Sequence, residues 1–132
     1  MLILGTENDT KNLSEITRSN KSYQAELLLG MKTNTLDPEG KIIDKKPIPK
    51  LNEHMLLKIL KTFEGRQKQI PPMFSAKKIR GVKLYKLARK NIVIERNEVD
   101  IEIYEMSLVK FSIDKIIFNV SCSKGTYIRV LA

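Results

Sequence analysis

The chain has 132 residues, the length of one domain, and 42% of them are hydrophobic, enough for a buried core. A single cysteine excludes an internal disulfide, and the lone His54 offers no framework for a metal site. No apolar run approaches the ~18 residues that cross a bilayer, and no signal-peptide pattern is present. We therefore expect an intracellular protein, cytoplasmic or organellar, without a metal ion or membrane association.

The charge balance indicates a polyanionic partner. Twenty-four Lys and Arg against 15 Asp and Glu give a net charge of +9, which favours nucleic acid through steering and counterion release. The stretch from Arg66 to Lys90 concentrates this excess, because it is rich in Lys and Arg and holds no acidic residue. Two alternatives stay open: a solvated basic face, and the Lys, Asn and Ile bias of an AT-rich genome.

The first half of the chain predicts alternating strands and helices, delimited by apolar spacing, caps, Gly and Pro. In chain order these are an apolar strand or buried turn at 1–5, a helix at 10–18 capped by Thr10, a strand at 22–30, a turn-rich loop at 31–40, an extended link at Pro47 and Pro49, and an amphipathic helix capped by Asn52 that ends before Gly65.

The second half predicts mainly strands. In chain order these elements are extended backbone at Pro71 and Pro72, a short helix at 83–90, a half-buried strand at 99–107, two further strands at 108–111 and 116–122, and a helix that begins after Thr126. This succession of strands and helices predicts a mixed α/β (α+β) fold in which helices flank a largely antiparallel sheet.

One short segment combines several groups that handle anions. Cys122–Arg129, Cys-Ser-Lys-Gly-Thr-Tyr-Ile-Arg, places a cation, a tight turn, a phenol and a guanidinium directly after an apolar strand. Such a turn can aim an Arg fork into a cleft and leave backbone N–H groups free for phosphate. The alternative is a plain turn with surface charges. Cys122 itself is expected to be a small core residue, because no general base accompanies it.

Four blocks in this order resemble the TruB family of tRNA pseudouridine synthases. They are Lys21–Gly30 (Lys-Ser-Tyr-Gln-Ala-Glu-Leu-Leu-Leu-Gly), Thr33–Gly40 (Thr-Asn-Thr-Leu-Asp-Pro-Glu-Gly), Gln69–Lys78 (Gln-Ile-Pro-Pro-Met-Phe-Ser-Ala-Lys-Lys) and Cys122–Arg129. The resemblance covers nearly the whole chain and implies a pseudouridine synthase catalytic fold, a tRNA T-arm as partner and uridine 55 of its loop as target, with no cofactor.

The resemblance also implies roles for individual residues. Tyr23 matches the family's pocket tyrosine, whose ring stacks on the extruded base, and Arg129 matches the arginine that pairs with the catalytic carboxylate. The remaining matches are expected to shape the pocket or face the RNA. They are Tyr127, Lys124 and Leu131 beside Arg129, and Lys78, Pro72 and Ser75 in Gln69–Arg89, which we call the basic block.

The chain departs from the family pattern at the nucleophile. The family carries its essential Asp in a Gly-Thr-Leu-Asp-Pro loop that precedes the Leu-Ile-Leu-Gly stretch seen here at residues 2–5. Asp37 has similar neighbours but aligns with a separate Thr-x-Thr-x-Asp-x-x-Gly loop. We therefore expect residues 1–132 to be part of a catalytic domain, cut at both ends, without the nucleophile and the C-terminal RNA-binding tail, inactive alone yet able to bind RNA.

Three other interpretations remain. The chain could belong to the guide-RNA-dependent branch of archaea and eukaryotes, although Pro-Pro-Met-Phe-Ser-Ala is typical of the bacterial or organellar type. It could be a non-catalytic RNA-binding module of the same fold. It could also be a basic structural protein that binds another protein. The sequence carries no sign of oligomeric state.

Overall fold

The computed structural model describes residues 4–131 of the chain. A short 3-10 helix at Glu7–Lys11 precedes the first α-helix. The elements that follow are α1 (Leu13–Arg18), β1 (Lys21–Leu28), β2 (Met31–Thr33), β3 (Ile42–Lys45), α2 (Glu53–Thr62), β4 (Gly65–Gln69), β5 (Lys78–Ile79), β6 (Val82–Lys83), α3 (Leu84–Ala88), β7 (Val99–Phe111), β8 (Lys115–Cys122) and α4 (Ile128–Leu131).

A four-stranded sheet with the order β1-β8-β7-β4 forms the framework, and every neighbouring pair is antiparallel. Because β4 and β8 both run antiparallel to β7, they run parallel to each other and end at the same edge of the sheet. Lys21, the first residue of β1, lies opposite Cys122, the last residue of β8. The ends of β4 and β8 and the beginning of β1 therefore meet at one edge.

The sheet buries one face only. Ile103, Phe118 and Val120 project into the hydrophobic core, together with Leu56 and Leu60 from α2. Ile128 and Leu131 of α4 also pack against this core. On the opposite face, polar pairs cross between strands, such as the side-chain amides of Gln24 and Asn119, 3.2 Å apart. Alternating burial of this kind is typical of an antiparallel sheet with one solvated face.

Two small hairpins stand outside the main sheet. One pairs β2 with β3, and the other pairs β5 with β6. In the second hairpin the two turn residues Arg80 and Gly81 have φ values of 49° and 79°. Positive φ at both central positions is the requirement of the type I′ turn, whose twist matches that of the strands it joins.

Most of the predicted elements are confirmed, including the largely antiparallel sheet. Asn52 caps α2, since its Oδ1 accepts from the N–H of Met55 at 2.9 Å. Strands 22–30 and 116–122 correspond to β1 and β8, and the helix at 83–90 corresponds to α3.

Several expectations are corrected. Thr10 does not cap a helix, because residues 7–11 form a 3-10 turn in which its hydroxyl donates to the carbonyl of Glu7. Segments 99–107 and 108–111 form one strand, β7. Its pairing with β8 shifts in register near Ile103 and near Leu108, but the strand continues through both shifts. The loop predicted at 31–40 contains the short β2. Of the strand expected at 1–5, residues 1–3 lie outside the described part, and Leu4 and Gly5 are not in a strand.

Asn52 and Thr10, the two residues that the sequence predicted as helix caps, give a first prediction. Asn52→Ala should lower the free energy of unfolding by about 1 kcal/mol, because the N–H of Met55 loses its acceptor. Thr10→Ala should change it by less than about 0.5 kcal/mol, since the exposed hydroxyl of Thr10 caps nothing. Urea unfolding measures both values. Equal losses from the two variants would contradict the helix start described here.

Candidate active site

The loop between β2 and β3 presents the carboxylate of Asp37. The side chain of Thr33 closes the loop, because its hydroxyl donates to the Asp37 carbonyl at 2.7 Å and accepts from the Asp37 N–H at 3.1 Å. The hydroxyl of Thr35 donates to Asp37 Oδ1 at 2.7 Å, and the N–H of Glu39 donates to the same oxygen at 3.2 Å. One oxygen of the carboxylate is thus fixed by its own loop.

Tight packing explains the glycine that ends this loop. A Cβ on Gly40 would lie 2.1 Å from Thr35 Oγ1 and 2.8 Å from Asn34 Oδ1. Both atoms are engaged, since Asn34 Oδ1 accepts from the N–H of Lys41. The Thr-x-Thr-x-Asp-x-x-Gly pattern therefore has a physical cause: two hydroxyls hold the Asp, and only Gly leaves them room.

Arg129 reaches the loop from the far end of the chain. The strand β8 is followed by a turn in which Gly125 has a φ of 81° and Thr126 donates its hydroxyl to the carbonyl of Ser123. Ser123 ties the turn to β7, since its N–H donates to the Glu102 carbonyl at 2.8 Å and its hydroxyl accepts from the Glu102 N–H at 2.9 Å. The helix α4 then begins at the edge of the sheet described above.

The guanidinium of Arg129 joins two distant segments. Its Nη1 donates to Asp37 Oδ2 at 2.9 Å, and its Nη2 donates to the carbonyl of Phe74. The side chains of Arg129 and Asp37 are 29% and 31% exposed. This ion pair is shielded from solvent on most of its surface, yet it remains open to a ligand.

The surroundings of Asp37 keep its carboxyl group ionised. The hydroxyl of Thr35, followed by the Arg129 guanidinium and the N–H of Glu39, lowers the pKa of Asp37 below its ordinary value of 3.8, against the opposing effect of partial burial. Both oxygens accept hydrogen bonds, which stabilises the charge and leaves it less available to attack another atom. The geometry suits an anchor for Arg129 better than a nucleophile.

A buried glutamine connects the same two regions. The side chain of Gln69, at the end of β4, is 5% exposed. Its Nε2 donates to the carbonyl of Tyr127 at 3.1 Å, and its Oε1 accepts from the N–H of Tyr127 at 2.8 Å. The amide thus satisfies both main-chain groups of the residue that precedes α4.

The residues matched to the family's pocket fall into different environments. Tyr23 lies opposite Val120 in the sheet, so it shares the face on which α4 packs, and it is 43% exposed. Leu131 packs against the core, and Tyr127 is half-buried. Lys124 is exposed in the turn before α4. The helix α4, which carries Arg129, thus packs on the same face of the sheet as Tyr23.

The residues matched in the basic block divide in the same way. Pro72 and Ser75 are buried, and the hydroxyl of Ser75 has no hydrogen-bond partner within residues 4–131. Lys78 is exposed on β5. Residues 77–90, which we call the basic arm, comprise the β5–β6 hairpin and α3. Two cations lie over the ring of Tyr85 in this arm, Lys83 Nζ at 5.8 Å and Arg89 Cζ at 5.4 Å from its centroid.

Three residues of the site were not predicted from the sequence. Asp37 was expected to lie in a Thr-x-Thr-x-Asp-x-x-Gly loop but without a role beside Arg129, and no role was predicted for Thr35 or Gln69. The Thr-x-Thr-x-Asp-x-x-Gly spacing was the available signal for the first two. Gln69 had none, because its partner is the backbone of a residue 58 positions away.

Two further observations concern metal and membrane sites. Within residues 4–131, no three His, Cys, Asp or Glu side chains are grouped as a metal ion would require. No helix in the same range is both long and apolar enough to span a bilayer. The buried thiol of Cys122 belongs to the core, and burial raises its pKa.

Comparison with protein families gives a clear match. The family model described as TruB family pseudouridylate synthase (N terminal domain) matches residues 1–128. Relatives include proteins named tRNA pseudouridine synthase B from Mycoplasma mobile, 41% identical over 99% of this chain and 46% of its own length, and from Clostridium tetani, 43% identical over 92% and 42%. A third, from Francisella tularensis subsp. novicida, is 46% identical over 93% and 41%. The chain thus spans less than half the length of these relatives.

A solved structure shares the fold. The crystal structure of a Cbf5-Nop10-Gar1 complex contains a chain that matches with a TM-score of 0.58 and 20% identity, over 92% of this chain and 26% of that one. At this identity the match concerns the fold alone.

The ionised state of Asp37 gives a prediction for stability against pH. A lowered pKa in the folded state means that the ionised carboxylate stabilises the fold above its ordinary pKa, and that this contribution is lost as the pH falls through the folded-state value. At about pH 7, Asp37→Asn should therefore lower the free energy of unfolding by about 1–2 kcal/mol, discounted for partial exposure.

Urea unfolding of Asp37→Asn and the unaltered chain at about pH 7 and about pH 3 measures the effect. The difference between the two proteins should shrink at the lower pH. A difference of the same size at both pH values would show that the carboxylate charge contributes nothing to this site.

Proposed function

The chain belongs to the TruB family of pseudouridylate synthases, and we propose on this basis that its site handles the target uridine of a tRNA pseudouridine synthase. The observation that carries the proposal is the partly exposed Arg129–Asp37 ion pair, since the helix α4 that carries Arg129 packs on the face of the sheet that Tyr23 shares. Residues 1–132 would then form part of the catalytic domain, and no cofactor or metal is assigned to the reaction.

The proposed chemistry moves a uracil base from one attachment to another. The bond between N1 and C1′ breaks, the base rotates, and a bond between C5 and C1′ replaces it, so that C5 loses its hydrogen to solvent as a proton and N1 gains a proton. The uridine must first leave its stack, which costs a few kcal/mol and is offset by contacts in a pocket. The half-exposed ring of Tyr23 is suited to stack on the extruded base.

Arg129 would orient the attacking carboxylate. Its guanidinium is already fixed by Asp37 and by the carbonyl of Phe74, so it offers a positioned charge to a second anion. The Gly-Thr-Leu-Asp-Pro motif does not occur within the 132 residues. We therefore assign the nucleophile to an aspartate outside them, and Asp37 to the support of Arg129.

The basic arm would hold the RNA. Seven Lys and Arg lie between residues 77 and 90, without an acidic residue, and Lys78 and Arg80 are exposed on its hairpin. The proposed ligand is the T-arm stem-loop of tRNA, with uridine 55 as the target. A protein that modifies tRNA would be intracellular. A non-catalytic RNA-binding module is the second candidate, favoured by the basic arm, which needs no nucleophile to bind RNA.

RNA binding by the 132-residue chain tests the proposed surface. The affinity for a T-arm stem-loop, measured by fluorescence anisotropy, should fall steeply as salt is raised. Arg80→Gln should weaken binding and reduce the salt slope by about 1, whereas Lys58→Gln on α2 should leave both unchanged. Binding that is absent, or that does not depend on salt, would favour a protein partner.

Catalysis distinguishes the enzyme from the binding module. With T-arm RNA tritiated at C5 of uridine, the 132-residue chain should release no tritium. A gene product that contains these residues together with the Gly-Thr-Leu-Asp-Pro motif should release it, and Arg129→Lys should slow that release about 10²–10³-fold because the guanidinium fork is lost. Release by the chain alone would place the nucleophile within it, and no release by the larger product would favour the binding module.

A further inference from the structure

The placement of Arg129 requires support from outside its own helix. The helix α4 has only four residues, Ile128–Leu131, and a helix this short does not form by itself. Packing of Ile128 and Leu131 against the core holds one side of it. The start of the helix must be fixed separately if the guanidinium is to reach both of its acceptors.

Gln69 provides that second attachment. Its side-chain amide bonds to both main-chain groups of Tyr127, two residues before Arg129. The Tyr127 carbonyl also accepts from the N–H of Val130 at 3.0 Å, so the amide contacts the first turn of α4 directly. Because Gln69 is buried, these bonds are shielded from competing water.

The same chain segment also supplies an acceptor for Arg129. Gln69 ends β4, and Phe74, whose carbonyl receives Arg129 Nη2, lies five residues later. Between them Pro71 and Pro72 are buried and restrict the backbone to extended conformations. The segment therefore contacts the residue that precedes α4 through Gln69, and the guanidinium of Arg129 through Phe74.

We propose that Gln69 is a positioning residue, whose amide sets the start of α4 so that Arg129 reaches Asp37 and the Phe74 carbonyl together. Its importance for the reaction rests on the function proposed above. Its effect on the Arg129–Asp37 contact does not, so failure of one can be distinguished from failure of the other.

The neighbouring Gln67 provides a matched control. It lies on the same strand and the same face, and its Nε2 also donates to a carbonyl, that of Phe63 at 2.6 Å. It makes no hydrogen bond to α4. Replacing either glutamine by Met conserves volume and removes the amide, so a general effect of weakening β4 would be common to both variants.

The test follows the pKa of Asp37 by NMR titration of its carboxyl carbon in the 132-residue chain. In Gln69→Met the pKa should rise towards the ordinary value of 3.8, because the guanidinium no longer reaches the carboxylate. The contribution of Thr35 and of the Glu39 N–H should remain. Gln69→Asn, one methylene too short to span the same gap, should act in the same direction and decides the matter if Gln69→Met does not fold.

Two readouts separate positioning from general destabilisation. The pKa of Asp37 in Gln67→Met should equal that of the unaltered chain. The pKa of Glu64, which the neighbouring Lys61 lowers, should stay the same in all variants. A folded Gln69 variant with an unchanged Asp37 pKa would overturn the proposal, as would an equal rise in Gln67→Met.

Discussion

Arg129 is the point at which three separated parts of the chain meet. Its guanidinium contacts the loop that presents Asp37 and the carbonyl of Phe74, and its own helix follows β8. An ion pair with this exposure contributes little to stability by itself. The ion pair matters for orientation, because Thr35 fixes one oxygen of the Asp37 carboxylate and Arg129 bonds to the other. The fold therefore sets the position of the positively charged guanidinium of Arg129.

Sheet topology brings these parts together. Since β4 and β8 end at the same edge, the residues that follow them become neighbours although they are far apart in the sequence. Gln69 uses this proximity to hold the main chain of Tyr127. Tyr23, near the start of β1, lies at the same edge. The site is thus a consequence of strand direction, and the core on one face of the sheet keeps it in place.

Local chemistry was predictable from the sequence, and long-range contacts were not. The helix cap at Asn52 and the strand β8 depend on residues adjacent in the sequence, so both could be predicted from the sequence pattern. Gly65–Gln69 is polar throughout and carries no alternating pattern of apolar residues, because β4 is an outermost strand of the sheet and is mostly exposed. The resemblance to the family identified Arg129, but its contact with Asp37 spans 92 positions. No spacing rule predicts such a contact, and it required the fold.

The most direct test of this account is the pKa of the Asp37 carboxyl in the unaltered chain and in Arg129→Gln, measured by NMR titration. The pKa of Asp37 should lie below 3.8 in the unaltered chain and should be higher in the variant, because the guanidinium no longer stabilises the charge. The same pKa in both proteins would contradict it, since Arg129 and Asp37 would then not interact in solution.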